Sequence, residues 1–440
     1  MMEDRNVTEW NRRDFLRQST ALAGASLLGA GRVLGANDRI RVAVLGLGNR
    51  GRGHIREASS IPGVEVVTIC DPDETRMARS ATDCEAAGAR RPKCEPDLRR
   101  VLEDREIDVC SVATPNHWHA LATIWACQAG KHVYAEKPVA HSLWEGRKMI
   151  EAARKYDRIV AAGTQRRSNA NFQKAIRLLR EGVIGDIYMA RSEYPQPREP
   201  LGFKPAEAPP STLHWDLWLG PAREQPYHAN LVHYNWHWFW DFGNGEIGNN
   251  GPHFLDIARW GLGKGFPARV QSVGGRFGPK DQGETPNTQR TTFVYDDGVT
   301  LVNDIRGLYA RPEFYWEFYG SRGYMHMEHS DRDFAGCAFQ VFLGRNKSPE
   351  PDANEPPAAK SADHYANFIT ALRAGRRELL NSELEEGHIS GGLCLLANIS
   401  YRLGRELRFD PRRECFVSDG EADRHLRREY RKQFAVPEKV

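Results

Sequence analysis

Among its eight cysteines the sequence has no Cys-x-x-Cys pair, and it lacks the dense, paired spacing by which a small secreted domain staples itself. Cys70 and Cys110 stand inside apolar runs that read as buried strands, so most thiols are expected to be small buried hydrophobes. Cys84 and Cys94 are the two that an oxidising compartment would join. A charge excess is also missing: 61 Lys+Arg against 58 Asp+Glu leave +3. A nucleic-acid binder needs a basic stripe to neutralise phosphates. The local exception, Arg424-His425-Leu426-Arg427-Arg428, carries no aromatic platform and reads as a solvated helix face. No apolar run approaches the roughly 18 uncharged residues of a spanning helix, and no internal repeat is found. The expectation is therefore no nucleic-acid partner, no membrane span and no disulfide scaffold. What the chain does have is apolar material, 40% hydrophobic and 10% aromatic residues in 440. That is too much for disorder and enough for two or three cores at about 150 residues per domain.

The N-terminus reads as an address. Asn11-Arg12-Arg13-Asp14-Phe15-Leu16-Arg17 precedes a small, apolar stretch at 19–30. Paired arginines before Phe-Leu, then a modest apolar region, mark a twin-arginine export signal. Residues 1–36 are assigned to this leader, which places the protein in the periplasm or otherwise outside the cytoplasm.

The next segment alternates short strands with helices of ten to fifteen residues, the pattern of a doubly wound parallel sheet. A β-branched run at 39–45 flows into Gly46-Leu47-Gly48-Asn49-Arg50-Gly51, and a second apolar run at 64–70 ends at Asp71. Strand, G-x-G-x-x-G, helix and an acid about twenty residues on are the context that makes the glycines informative. The first allows a tight turn, the second lets backbone approach a pyrophosphate, and the third lets helix pack on strand. The helix start then offers free N–H groups to phosphates. Asp71 suits the ribose hydroxyls of NAD, while Arg50 and Arg76 keep NADP within reach. Three polar clusters fall at the carboxyl edge of the same sheet: Thr114-Pro115-Asn116, Glu136-Lys137-Pro138 and Gly163-Thr164-Gln165-Arg166.

The second half changes texture. Proline-rich loops at 194–210 and 345–360 flank runs of strand character at 187–193, 270–277, 291–295, 300–305, 314–319 and 324–327. Several alternate polar with apolar residues, as an antiparallel sheet covered on one face does. The fold class expected is α/β: a Rossmann domain over 37–162, an α+β domain with a large, mostly antiparallel sheet over 163–410, and a basic tail over 411–440. The open face of such a sheet predicts a homo-oligomer.

These motifs occur in a familiar order. Gly46-x-Gly48-x-x-Gly51, Thr114-Pro115-Asn116 with His119, Glu136-Lys137-Pro138 and Gly248-x2-Gly251-x-His253-x2-Asp256 resemble the glucose–fructose oxidoreductase, inositol dehydrogenase and rhizopine catabolism family, Gfo/Idh/MocA. The resemblance runs from about Arg39 to Phe409, and the leader is similar to that of exported members. It implies NAD- or NADP-dependent oxidation or reduction of sugars, cyclitols and related polyols. It also implies a cofactor site built from Gly46, Gly48, Asn49, Arg50, Gly51, Asp71, Thr114, Pro115, Asn116, His119, Glu136, Lys137 and Gln165, and a cis bond before Pro138.

The chemistry stands beside the resemblance. Oxidising a secondary alcohol requires a hydride acceptor and a base for the hydroxyl proton. A lysine titrates ordinarily near 10.4, but burial and a cationic nicotinamide both lower that value. Lys137 is thus the candidate acid/base, with His253 at a helix start as its neutral partner. Asp256, three residues on, shares the helical face of His253 and is expected to orient its ring. The family pattern has Asp four residues before the histidine; this chain has Asn249, which cannot ionise. Tyr234-Asn235-Trp236-His237-Trp238-Phe239-Trp240 offers flat rings for a sugar or for packing, with equal weight. Asn249, Asp256, Trp236 and His237 are the candidate substrate contacts. His233 and His237 have the spacing of a helical metal pair but no third ligand, so no metal is expected. Two rivals stay open: a redox-neutral lyase or glycoside hydrolase on tightly held NAD, and a non-catalytic sugar-binding protein.

Overall fold

In Ile40–Leu45 (β1) every residue from Val42 on is buried, because a parallel strand is covered on both faces and must be apolar throughout. The structure is a computed structural model and describes residues 39–311, 313–329, 337–345, 348–349 and 363–440. The leader assigned to 1–36 lies outside them. All the architecture below belongs to the unit Ile40–Val440.

Among the described residues the strands form two sheets. The first contains β1, Val64–Cys70 (β2), Lys93–Glu95 (β3), Val109–Val112 (β4), His132–Ala135 (β5) and Val160–Ala162 (β6), in the order β3-β2-β1-β4-β5-β6. All its pairings are parallel. The order reverses between β1 and β4, so a crevice opens beyond their carboxyl ends, where such sheets take ligands. The helices Asn49–Ser59 (α1), Glu74–Ala86 (α2), Leu98–Glu103 (α3), Asn116–Gln128 (α4) and Leu143–Lys155 (α5) connect the strands. Local chemistry sets their starts. Asp73 accepts from the Thr75 N–H, and Ser142 with Glu145 closes a capping box.

The second sheet has ten strands, in the order β14-β13-β12-β11-β7-β10-β9-β8-β15-β16. These are Ile187–Pro195 (β7), Arg269–Gly275 (β8), Thr288–Val294 (β9), Thr300–Arg306 (β10), Tyr315–Gly320 (β11), Gly323–His329 (β12), Cys337–Leu343 (β13), Ser348–Pro349 (β14), Leu407–Asp410 (β15) and Cys415–Phe416 (β16). Only β7 and β10 pair in parallel; their neighbours run antiparallel. Alternation decides its faces: Trp316 and Phe318 of β11 are fully buried, as are Met325 and Met327 of β12. They pack beneath the helices Ala170–Arg180 (α6), Gly251–Leu262 (α9) and Leu384–Leu403 (α10). Between β7 and β8 the chain also forms two one-turn helices, Trp215–Leu219 (α7) and Gly245–Asn249 (α8), and the aromatic stretch that reaches the crevice. The expected fold class is the one observed.

The basic tail is not a solvated helix face. Arg424–Leu426 makes a single 3-10 turn, after which the chain runs extended as far as a second one at Lys432–Phe434. Leu426 enters the core of the second domain, whereas Phe434, Val436 and Val440 enter that of the first. Phe434 sits edge-on to Trp118 at 5.3 Å, and Arg431 holds the carbonyl of Gly220 and the carboxylate of Asp216. A charged segment can be fastened by a few widely spaced apolar anchors without any helical period. The eight thiols remain free, Cys84 and Cys94 among them.

Candidate active site

The three motif glycines have separable tasks. Gly46 has φ +86°, and a Cβ there would lie 2.7 Å from the backbone of Ala113 and Thr114. The turn after β1 is therefore pressed against the end of β4 and tolerates no side chain. A Cβ on Gly51 would come within 1.8 Å of the Gly46 carbonyl oxygen, so α1 packs directly on the turn. Gly48 differs: its added Cβ would meet nothing closer than Arg76 Nη1 at 3.8 Å. Its bareness leaves room in the crevice rather than serving the backbone. The first turn of α1 has neither a side-chain cap nor an acid, which leaves its N–H groups for an anionic ligand.

Asp71 ends β2 at the same crevice. Its carboxylate accepts the N–H of Leu47 at 2.7 Å and that of Asp73 at 2.9 Å. Burial outweighs those donors and pushes the acid up to about 6. The free carboxyl is thus protonated below that value, with one acceptor lone pair fewer. Ribose hydroxyls favour the ionised form, so NAD affinity should rise as pH rises through about 6 and flatten above it. In Asp71→Asn the dependence should vanish. Calorimetric titration of NAD across this range is the check; a flat profile in the unsubstituted protein would contradict the ribose role.

At the other end, Glu136 and Lys137 leave β5. Glu136 accepts from Arg50 Nε at 2.5 Å and lies 3.0 Å from His54 Nε2, whose other nitrogen is 2.8 Å from Ser111 Oγ. Burial would raise this carboxyl, but Arg50 and His54 hold it well below the usual range. A fixed anion therefore lies under the backbone of Lys137. The peptide bond to Pro138 is cis, as the resemblance implied. The Lys137 ammonium donates to the carbonyl oxygen of Asn249. Burial lowers its pKa, partly offset by the carboxylates of Glu136 and Glu246. His253, near the start of α9, is held well below its ordinary value by burial and by the charges of Lys137 and Arg166. It is neutral, and its Nδ1 is buried without a hydrogen-bond partner among the described residues.

One cavity of about 330 Å³ joins these groups. Its lining brings together Gly46, Gly48, Asn49, Arg50, Asp71, Thr114, Pro115, Asn116, His119, Glu136, Lys137, Gln165, Trp236, Asn249 and His253. Thr114 Oγ1 and Gln165 Oε1 are buried without partners among the described residues. Polar atoms left idle at one end, an open Gly48 with free N–H groups in the middle and an acid at the other end fit a dinucleotide. His119 serves the walls, its ring nitrogens 2.7 Å and 2.8 Å from the carbonyl oxygens of Pro138 and Thr114. Gly51 lies beneath the turn, outside the lining.

Two expected substrate contacts are corrected. Asp256 does not orient His253. Arg167 grips both of its oxygens and Ser390 donates to one, which leaves it 1% exposed away from the cavity. An Arg–carboxylate fork is the stronger partner for a buried acid, and it was formed across the fold. His237 is also buried outside the lining. Its Nδ1 donates to the Tyr234 carbonyl at 2.8 Å, and burial drives its pKa down to about 4. His233 does line the cavity and stands 2.9 Å from Asp73, so the two histidines serve different partners.

The aromatic stretch divides its labour. Trp238 and Phe239 pack with Trp218 and Phe242 in a small core, whereas Tyr234 and Trp236 line the cavity. Sequence reasoning missed Glu246 altogether. It is fully buried, held by Arg198 at 2.8 and 3.1 Å, and carries negative charge toward Lys137. Its only sequence signal is a lone acid in the small-residue run Gly243-Asn244-Gly245-Glu246-Ile247-Gly248. The amide of Asn249 donates to the Tyr234 hydroxyl at 3.3 Å. The motif position thus supplies a backbone acceptor for Lys137, and the nearby charge comes from three residues earlier.

Comparison with known proteins gives this geometry its relatives. Residues 40–164 match the description "Oxidoreductase family, NAD-binding Rossmann fold", and residues 202–436 match "Oxidoreductase family, C-terminal alpha/beta domain". A levoglucosan dehydrogenase of Pseudarthrobacter phenanthrenivorans is 25% identical over 68% of this chain and 76% of its own. A glycosyl hydrolase family 109 protein of Shewanella pealeana is 27% identical over 39% of this chain, and the match spans only 38% of that relative's length. In fold, the WlbA dehydrogenase of Bordetella pertussis, solved with NADH and UDP-GlcNAcA, superposes with a TM-score of 0.65 at 21% identity. That superposition covers 84% of this chain and 99% of the other.

Proposed function

Because the chain belongs to the Gfo/Idh/MocA oxidoreductase family, with its NAD-binding Rossmann domain and C-terminal α/β domain, we propose that it oxidises or reduces a secondary alcohol carbon of a sugar, cyclitol or related polyol. The observation that carries this reading is the half-buried lysine that shares the cavity with a neutral histidine, whose Nδ1 has no hydrogen-bond partner among the described residues.

NAD bound here supplies a hydride acceptor at nicotinamide C4. Gly48 and the first turn of α1 would hold its pyrophosphate, Asp71 its adenosine ribose, and Thr114 and Gln165 the nicotinamide end. Lys137 takes the hydroxyl proton onto Nζ as the C–H electron pair departs, and returns it in reduction. Burial lowers the pKa of this amine from its ordinary value, in the direction an acid/base needs, and the Asn249 carbonyl orients it. His253 Nδ1, idle among the described residues, is the second hydrogen-bonding group for that hydroxyl and holds it toward Lys137. Tyr234 and Trp236 bear on the apolar face of a ring, and the walls exclude water.

A second reading is a glycoside cleavage in which the cofactor is reduced and reoxidised within each turnover. The similarity to glycosyl hydrolase family 109 proteins and the amide at Asn249 favour it. Cofactor balance separates the two. With free polyols and methyl glycosides offered side by side, the first reading expects NADH to accumulate mole for mole with ketone. Catalytic release of methanol without net NADH would replace it by the second.

A further inference from the structure

Behind the catalytic loops lies a larger cavity, of about 860 Å³, that the dinucleotide reading does not use. Trp240, last of the aromatic stretch, lines it, together with the segment after Pro138 and the tail that crosses at 423–429. Its cations are unevenly employed. Arg402 lies 5.0 Å from the Trp240 ring centroid and has no ion pair among the described residues. Arg424 has no hydrogen-bond or ion-pair partner there either. Arg428, with a side chain 12% exposed, donates Nη1 to His141 Nδ1 at 3.0 Å and to the Asp241 carbonyl at 3.2 Å. Its Nε is ion-paired with the buried Glu145 carboxylate at 3.5 Å, but neither Nε nor Nη2 makes a hydrogen bond among the described residues.

The carboxylates around the cavity are mostly spoken for. Asp241 is gripped by Arg223, Glu284 accepts the Trp240 N–H at 2.8 Å, and Asp423 accepts the Phe416 N–H at 2.7 Å. Glu429 is exposed. A buried guanidinium with idle donors is costly unless an acceptor completes it. A planar fork beside a second cation and an aromatic face matches a carboxylate, sulfate or phosphate group.

We propose that this rear cavity is a second ligand site, in which Arg428 and Arg402 bind the oxyanion of a small molecule against Trp240. Either an acidic sugar or a free inorganic ion presents that chemistry. The site adjoins the catalytic elements: Asn244 Nδ2 donates to the His141 carbonyl at 3.4 Å, and the helix Gly245–Asn249 that follows carries the carbonyl bonded to Lys137.

The test is calorimetric titration of the full chain with glucuronate, sulfate and phosphate. Saturating NAD fills the pyrophosphate crevice first, so that binding there is not counted. The expected result is saturable, one-to-one binding of at least one probe, weakened roughly tenfold or more by Arg402→Gln and by Arg428→Lys. Tighter binding of glucuronate assigns the site to an acidic sugar; equal binding of sulfate or phosphate assigns it to an inorganic ion. Arg402 has no ion pair to lose, so Arg402→Gln keeps the test valid if Arg428→Lys fails to fold. No saturable binding of any probe, or affinities unchanged in Arg402→Gln, overturns the proposal.

Discussion

Lys137→Met lowers turnover by about 10²-fold or more while NAD binding persists. The methionine keeps the length of the side chain and removes only the group that holds the proton. The Glu136 carboxylate stays with Arg50 and His54, so the floor of the site is retained. Activity of the variant on a sugar or cyclitol turned over by the unsubstituted protein is the measurement. Undiminished turnover would remove Lys137 from the chemistry. The pH profile should move as well, since burial places the lysine below its ordinary range and its loss deletes that titration.

Gly48→Val abolishes dinucleotide binding without unfolding the domain. Gly48 has φ −66° and ψ −173°, open to any residue, and its Cβ would find only Arg76 Nη1 at 3.8 Å. The branched side chain instead fills the space beside the first turn of α1. Affinity for NAD should fall by at least about 100-fold, roughly 2.8 kcal/mol in binding free energy, at an unchanged melting temperature. The same substitution at Gly46 or Gly51 would collide with backbone and fail for a different reason. Retained NAD affinity in Gly48→Val would mean that the pyrophosphate lies elsewhere.

The parts of this account that were legible in sequence are those set by local rules. β1, β2 and β4 are predominantly apolar runs because both faces are covered, and the glycine loop follows from its own conformational needs. β3 was not legible: Lys93-Cys94-Glu95 is a three-residue edge strand, exposed or partly exposed throughout, with no pattern to betray it. β7 was legible as a strand, but not its parallel pairing with β10, because that partner lies beyond the whole insertion carrying the aromatic loop. The site errors have one cause. Asp256 was placed on the His253 face by helical spacing, which is correct, but Arg167 is 89 residues away and claims it. Glu246 owes its burial to Arg198, 48 residues distant. Partner choice across such separations depends on the completed fold, so local periodicity is silent about it.

The central claim is that hydride passes between an alcohol carbon of the substrate and a cofactor held beside Lys137. Isotope transfer tests it under either reading of the overall reaction. The protein is saturated with NAD, mixed with a panel of carbon-deuterated sugars, cyclitols and glycosides, then denatured, and the released cofactor is analysed by mass spectrometry. With a converted substrate the account predicts deuterium on the nicotinamide ring, and none when Lys137→Met is used. Substrate conversion by the NAD-loaded protein with no deuterium ever reaching the nicotinamide would contradict it.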